Sequence, residues 1–280
     1  MTTIVQVNIQ LWNKNKYLLQ CEFSNLNPDI ILINDVGIPS HQIVKMSTYN
    51  TISNAIDLYS GAAILIKKGI RFENIELKNP NILAIKIQTN MGPIIISTAY
   101  IAPRNLVIPT IEITKILSYK LPTLFIADFN AHHPLFNNTT AGRKYGDNKG
   151  KTLAALAHRR NLICLGPTFD TFKTNRAKGK PDIILCNNLF NIFHHQVTRG
   201  NHVGSDHFPI IFKIAIKPFR VLCEPKLNIR SLNIDGFRKE LEPFRTDTLH
   251  NKPINEIDKL TEKIINNITE ATVNNCKITK

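Results

Sequence analysis

Gly204-Ser205-Asp206-His207-Phe208-Pro209-Ile210 runs directly into Ile211-Phe212-Lys213-Ile214-Ala215-Ile216, an apolar stretch of strand character. An adjacent Asp and His therefore stand at the mouth of a core strand. The strand fixes the backbone while the loop before it exposes polar groups, which suits chemistry. Alone, the dipeptide reads equally well as loop decoration. The other strand ends decide between the two.

Working outward, several short apolar runs end in a polar residue. Residues 3–10 (TIVQVNIQ) predict a strand carrying Asn8. Residues 30–33 predict a buried strand that delivers Asn34 and Asp35. Strands are expected over 61–66, 83–88 and 94–98, the last leading to Tyr100 and Pro103. Residues 123–127 run into Asp128-Phe129-Asn130-Ala131-His132-His133-Pro134. Asp182 precedes a strand over 183–186, and further strands are expected over 161–165, 197–199 and 210–216. Helical periodicity falls at 14–26, 110–119 and 153–160. Many short strands with fewer helices, spread over about 218 residues, predict a two-layer β core flanked by helices, an α/β sandwich. No internal repeat stands out in the sequence.

The tail differs. Residues 218–234 have turn and linker character, 235–241 and 254–273 read as helices, and 277–280 read as a frayed end. Helix 254–273 is amphipathic, with Ile257, Leu260, Ile264, Ile265, Ile268 and Val273 apolar. The expected division is thus a first domain over 1–218 and a linker with a helical tail over 219–280.

Composition narrows the partners. The 280 residues carry 35 Lys and Arg against 21 Asp and Glu, a formal charge of +14. Such an excess suits a polyanion such as nucleic acid, with acidic membrane surfaces as the other candidate. No run approaches the roughly 18 apolar residues that span a bilayer, and no signal peptide is evident. Five cysteines without a CxxC pair fit a reducing compartment.

The polar groups at the strand ends are Asn8, Asp35, Tyr100, Asp128, Asn130, Asp182, Asp206 and His207. Four carboxylates gathered in one cleft repel one another, and a hard divalent cation relieves this. His132-His133 and His194-His195 lack the framework of a zinc site. The first pair is expected to support the site or the fold, the second to pack. Phosphodiester hydrolysis needs a base for water, stabilisation of the non-bridging oxygens and help for the leaving oxygen. His207 can serve at the phosphate, held by Asp182 through its other ring nitrogen. Asp128 can orient or deprotonate water, and Asp35 can hold Mg²⁺. Asn8, Asn130 and Tyr100 can donate hydrogen bonds to phosphate oxygens.

At these residues the chain resembles the endonuclease/exonuclease/phosphatase superfamily, and within it the apurinic-like endonuclease domain of non-LTR (LINE-type) retrotransposons. The matching pieces are VNIQ at 7–10, PDIILIND at 28–35, TAYIAP at 98–103, ADFNAHHPLF at 127–136, GKPDIILC at 179–186 and GSDHFPI at 204–210. The resemblance implies a four-layered α/β sandwich, with two central, mostly antiparallel β-sheets flanked by helices. It implies the eight strand-end residues as the active site, with Asp182 paired to His207. Asp35 and Asp206 would hold Mg²⁺, or Mn²⁺ in its place, and Ser205 would help position the target strand. The implied activity is nicking of double-stranded DNA in the nucleus, after synthesis in the cytoplasm. The nick leaves a 3′-hydroxyl that primes reverse transcription, by a fused or partner reverse transcriptase acting with element RNA. No membrane is involved.

Two departures from the family pattern stand out. Asp35 replaces the family's metal-binding Glu, setting the carboxylate back by about 1.5 Å. Phe136 stands where a Trp is common. Two basic loops, 142–151 and 171–180, flank the motifs, and their cations suit phosphate contacts. Arg143, Lys144, Lys173, Arg176, Lys178 and Lys180 come from them, with Arg104 and Arg199 from nearby. Two other readings stay open at the level of sequence. One is an abasic-site repair endonuclease or phosphatase of the same superfamily. The other is a catalytically weakened or domesticated DNA-binding relative.

Overall fold

The computed structural model describes residues 1–39, 42–54, 60–105, 107–136, 146–221, 226–242 and 254–279, which form two compact units, Met1–Val221 and Leu222–Lys280. The first unit opens with strand β1 (Thr2–Asn8), helix α1 (Trp12–Leu26) and strands β2 (Ile30–Asn34), β3 (Tyr49–Asn54) and β4 (Ala62–Lys67). Strands β5 (Phe72–Ile75), β6 (Ile82–Thr89) and β7 (Gly92–Ala99), helix α2 (Thr110–Leu117) and strand β8 (Thr123–Asp128) follow. Helix α3 (Asn148–Arg159) leads to β9 (Leu162–Gly166) and the small hairpin β10 (Phe172–Lys173) and β11 (Lys178–Gly179). Strand β12 (Asp182–Asn187), the single turn α4 (Asn188–Asn191), β13 (His195–Arg199) and β14 (Ile210–Ile214) complete the unit.

The strands build two six-stranded sheets, ordered β13-β14-β1-β2-β4-β3 and β5-β6-β7-β8-β12-β9. Each sheet has a single parallel join at its centre, β1 with β2 and β7 with β8, and its other joins are antiparallel. A parallel join needs a crossover, and α1 and α2 lie in those two connections. The two sheets thus repeat one arrangement that no sequence repeat announces.

Period-two alternation explains the layers. Ile4, Ile30, Leu32, Ile94, Ile96, Leu124, Ile126 and Ile184 face the partner sheet and fill the central core. Val5, Val7, Ile31 and Ile33 point the other way and pack with Trp12, Leu19 and Phe23 of α1. Ile95, Phe125 and Ile183 pack with Ile113 and Ile116 of α2 and with Leu153 and Leu156 of α3. The result is helix, sheet, sheet, helix: the four-layered α/β sandwich.

The structure adds elements that the apolar pattern does not announce. Strands β3 (YNTISN) and β5 (FENI) are half-exposed edges with little alternation. Loop 171–180 contains a hairpin, and residues 148–151 open α3 rather than extending a loop. Asp147 caps that helix, its side chain accepting from Gly150 N. Strand β1 stops at Asn8, because Gln10 and Leu11 turn through φ of 47° and 76°. Residues 217–221, expected to begin the linker, belong to the first unit: Phe219 N donates to Gln88 O and Val221 N to Gly69 O. Arg220 Nη2 reaches Asp29 Oδ1 at 2.5 Å.

In the second unit, strand β15 (Lys226–Asn228) pairs with β16 (Lys277–Thr279). The end expected to be frayed is therefore a strand. Each strand holds a single apolar residue, too little for a periodic signal. Helices α5 (Ile234–Leu241) and α6 (Ile254–Asn275) lie between them, and Asn233 N donates to Asn275 O. No helix among the described residues is long and apolar enough to cross a membrane.

Candidate active site

At one end of the sandwich the inward-facing row changes from apolar to polar on five strands. Ile4 is followed two residues on by Gln6 and then Asn8; Leu32 by Asn34; Ile96 by Thr98 and then Tyr100; Ile126 by Asp128. On β12 the row runs the other way, from Ile184 back to Asp182. The members between Gln6 and Asp182 are all buried. Register sets Asp128 directly across from Asp182 on neighbouring strands. Like charges so placed repel, and the surrounding donors answer that repulsion.

The loop before β14 closes over this end. His207 Nδ1 donates to Asp182 Oδ2 at 2.9 Å, with Asp182 1% exposed. Gln6 Nε2 donates to Asp182 Oδ1 at 2.7 Å. Asp128 accepts from Asn8 Nδ2 at 2.8 Å and from Asn130 N at 3.2 Å. Ser205 Oγ donates to Asn8 O at 2.7 Å and accepts from His207 N, so its hydroxyl braces the loop from inside. Gln10 Oε1 holds Asp206 N. Asp206 lies with Oδ1 3.8 Å from His207 Nε2, and that oxygen is buried without a hydrogen-bond partner among the described residues.

Two of the expected site residues adopt left-handed backbone: Asp35 at φ 52° and Asn130 at φ 44°. Asp and Asn tolerate this region better than other side chains with a Cβ. Both follow the central parallel strands, Asp35 just after β2 and Asn130 just after β8. The shorter acid at 35 thus suits the backbone it sits on, and it hydrogen-bonds Tyr100.

The electrostatics follow from burial and crowding. Burial opposes charge on His207, yet Asp182's charge and hydrogen bond, with Asp128 and Asp206 behind them, push the imidazole up to about 9. It is an imidazolium at neutral pH. Burial raises Asp128 to about 7, Asp182's charge adds to this, and His207, Asn8 and Asn130 pull against it. Burial and then the charges of Asp35 and Asp128 hold the Tyr100 phenol far above its ordinary value, so it stays a neutral donor.

The donor set fits a hard cation. Ligand atoms of Asp128, Asp182 and His207 lie within 4.8 Å of one another, a group that could hold a metal ion. Both Asp182 oxygens already accept hydrogen bonds and His207 Nδ1 is engaged. Asp206 Oδ1 has no hydrogen-bond partner among the described residues, and the charges of Asp35, Asp128 and Asp206 all act on Tyr100.

Comparison with known proteins matches the arrangement. A family model described as "Endonuclease-reverse transcriptase" matches residues 94–211. The chain is 21% identical over 258 residues to "RNA-directed DNA polymerase from mobile element jockey" of Drosophila funebris, covering 88% of this chain. It spans about a quarter (27%) of that relative's length. The endonuclease domain of TRAS1, a telomere-specific non-LTR retrotransposon, superposes with a TM-score of 0.64 at 19% identity, over 76% of this chain and 97% of that one. The AP endonuclease LMAP from Leishmania major gives 0.61 at 12% identity, over 78% and 87%. The fold is that of the endonuclease/exonuclease/phosphatase superfamily.

Within the endonuclease/exonuclease/phosphatase fold, the structure gathers all eight expected strand-end residues at one end. The expected phosphate-contacting residues among the described ones are placed as follows. Lys173 and Lys178 belong to the β10–β11 hairpin, with Arg176 exposed at its tip and Lys180 just beyond. The hairpin is pinned to the site loop: Lys173 N donates to Asp206 O, Phe208 N to Thr171 O, and the Phe172 ring meets His207 edge-on at 5.3 Å. Arg199 is exposed and lies 4.6 Å from the centre of the Phe208 ring. Arg104 is exposed in the turn after Tyr100. Arg143 and Lys144 lie outside the described residues. His195 stacks on Phe212, as a packing role requires.

Sequence reasoning missed Gln6, Asn34, Thr98, Gln10 and Lys149. The first three carry a readable signal, since each continues the inward-facing row of its strand. Lys149, 6% exposed, lines a cleft with Pro103, Asn130, His132, Gly146, Asp147 and Asn148. That cleft opens beside Asn130.

Helix α3 also locks the AHHP loop. Asp147 Oδ1 accepts from His132 N, and a Cβ on Gly150 would meet His132 O at 1.9 Å. Gly150→Ala is therefore expected to cost about 1–3 kcal/mol of stability, as overpacking against backbone does. A urea midpoint equal to that of the parent would contradict this.

Proposed function

We propose that this chain is a divalent-metal-dependent DNA endonuclease of the retrotransposon type. The single observation that carries the reading is the buried pair of Asp182 and His207 facing Asp128 across 4.8 Å or less. The formal charge of +14 and the exposed Lys173, Arg176 and Lys178 of the hairpin bonded to the site loop support DNA as the substrate, and the jockey and TRAS1 relatives support the retroelement branch. Asp35 and Asp206 would hold the cation, Mg²⁺ or Mn²⁺, which would supply charge for the phosphate oxygens and the leaving oxygen.

The chain's own residues do the rest. The His207 imidazolium, held by Asp182, donates from Nε2 to a non-bridging oxygen of the scissile phosphate. Asn130 and the neutral Tyr100 phenol help to orient the same group. Asp128, raised toward neutrality, takes a proton from the attacking water, the range where a general base works best. The water oxygen bonds to phosphorus as the P–O3′ bond breaks. The leaving oxygen takes up a proton, giving a 3′-hydroxyl and a 5′-phosphate. In a retroelement that hydroxyl primes a reverse transcriptase, fused or recruited with its element RNA, in the nucleus.

Supercoiled plasmid incubated with the purified chain should be nicked in Mg²⁺ or Mn²⁺ and left intact in EDTA. Labelled 3′ ends should then accept extension by a polymerase. Cutting confined to abasic oligonucleotides would assign the chain to repair instead. No nicking above a His207→Ala control in either metal would sink the reading.

A further inference from the structure

Gln6 is an amide at the point where the inward-facing row turns from apolar to polar, between Ile4 and Asn8, and it is fully buried. Packing alone would favour an apolar residue there, because an amide costs free energy to bury. Its Nε2 donates to Asn34 Oδ1 at 2.9 Å and to Asp182 Oδ1 at 2.7 Å, so both amide protons are used. Asn34 Nδ2 in turn donates to Thr98 Oγ1 at 3.0 Å. A line of hydrogen bonds thus runs from β7 through β2 and β1 to Asp182 on β12, and ends at His207. Gln6 Oε1 has no partner among the described residues. The amide is therefore committed through its nitrogen.

We propose that Gln6 is a positioning residue for the Asp182–His207 pair. A carboxylate can turn about its last bond. With Gln6 on Oδ1, only Oδ2 is left to face His207, so the carboxylate plane and the imidazole plane are set together. Without that donor, Oδ1 would be buried and unpaired, and the carboxylate would turn to share one oxygen between needs. Partners of this kind, one step removed from the reacting groups, are worth about 10- to 100-fold in activity.

The kinetic half of the test rests on the nuclease reading; the spectroscopic half does not. Gln6→Met keeps the length of the side chain and removes both donors. In the full chain it should lower kcat for plasmid nicking by about 10- to 100-fold and leave KM for DNA within about twofold. In metal-free protein labelled with ¹⁵N-histidine, the parent should show a downfield, slowly exchanging Nδ1 proton that His207→Ala removes. That proton should broaden or vanish in Gln6→Met. A cooperatively folded Gln6→Met with the His207 proton unchanged overturns the proposal, whether or not kcat falls, because a fall alone is then loss of packing. If Gln6→Met does not fold, Asp182→Asn provides the second measurement: the Gln6 side-chain amide resonances should shift, and unmoved resonances overturn the proposal. If the parent does not nick DNA, the nuclease reading fails while the proton resonance still decides the role of Gln6.

Discussion

Replacing His207 with alanine is expected to lower the nicking rate by about 10³-fold or more while the fold persists. The size follows from what is lost. In the proposed reaction a buried imidazolium supplies both charge and a hydrogen bond to the phosphate, and groups of this kind contribute about 10²- to 10³-fold or more. The partner substitution sharpens the test. Asp182→Ala removes the charge that raises His207 and the acceptor that orients it. The two residues act as one unit, so the double variant should be no slower than His207→Ala alone. Initial rates on supercoiled plasmid read all three. Losses that multiply in the double variant would show that Asp182 acts independently of His207.

The stability of the metal-free chain is expected to fall as pH rises from about 4 to 9. His207 titrates near 9 when folded against an ordinary 6.5. The folded state therefore holds a proton that the unfolded state has released. That stabilisation is complete below pH 6.5 and is lost as pH rises through 9. It amounts to about 3 kcal/mol on the scale of 1.36 kcal/mol per unit. Asp128, raised from 3.8 to about 7, has the same sign over a lower window. Its folded form keeps a proton until about pH 7, so stability declines between pH 4 and 7. The two groups interact, and their losses merge into one slope. Urea midpoints in EDTA across this range should fall, and His207→Ala should flatten the upper half. A curve that rises with pH above 6.5 would refute the assignment.

The candidate site residues were legible because polar groups stand where apolar runs stop. Asp128, Asp182 and His207 each border a clear core strand, and a polar residue there has few purely structural uses. The layers were legible for the same reason, since the central strands are near-continuous runs of Ile, Leu, Phe and Ala, buried on both faces. Edge strands were not. Strand β3 buries only one residue fully and so lacks a period. The β10–β11 hairpin consists of two two-residue strands of Phe, Lys and Gly, and its order comes from Asp206 and Thr171 rather than from its own sequence. Gln6 and Asn34 read as ordinary strand polarity until the facing sheet supplies their partners. Lys149 reads as a loop cation; Asp147 turns the chain into a helix just before it and draws it inside.

The first and last strands of the first unit lie side by side. The Thr2 hydroxyl donates to the carbonyl of Ile216 across 214 positions of sequence. β1 meets its antiparallel neighbour only when β14 exists, and contacts of such long range form late. A nascent chain that has emerged as far as residue 190 already carries Asn8, Asp35, Tyr100, Asp128 and Asp182. It lacks both the strand that closes the first sheet and His207, which arrives on the same segment. Competence and closure therefore come in one step of synthesis. A chain half made on the ribosome carries its acids without the imidazole that Asp182 holds in the finished fold.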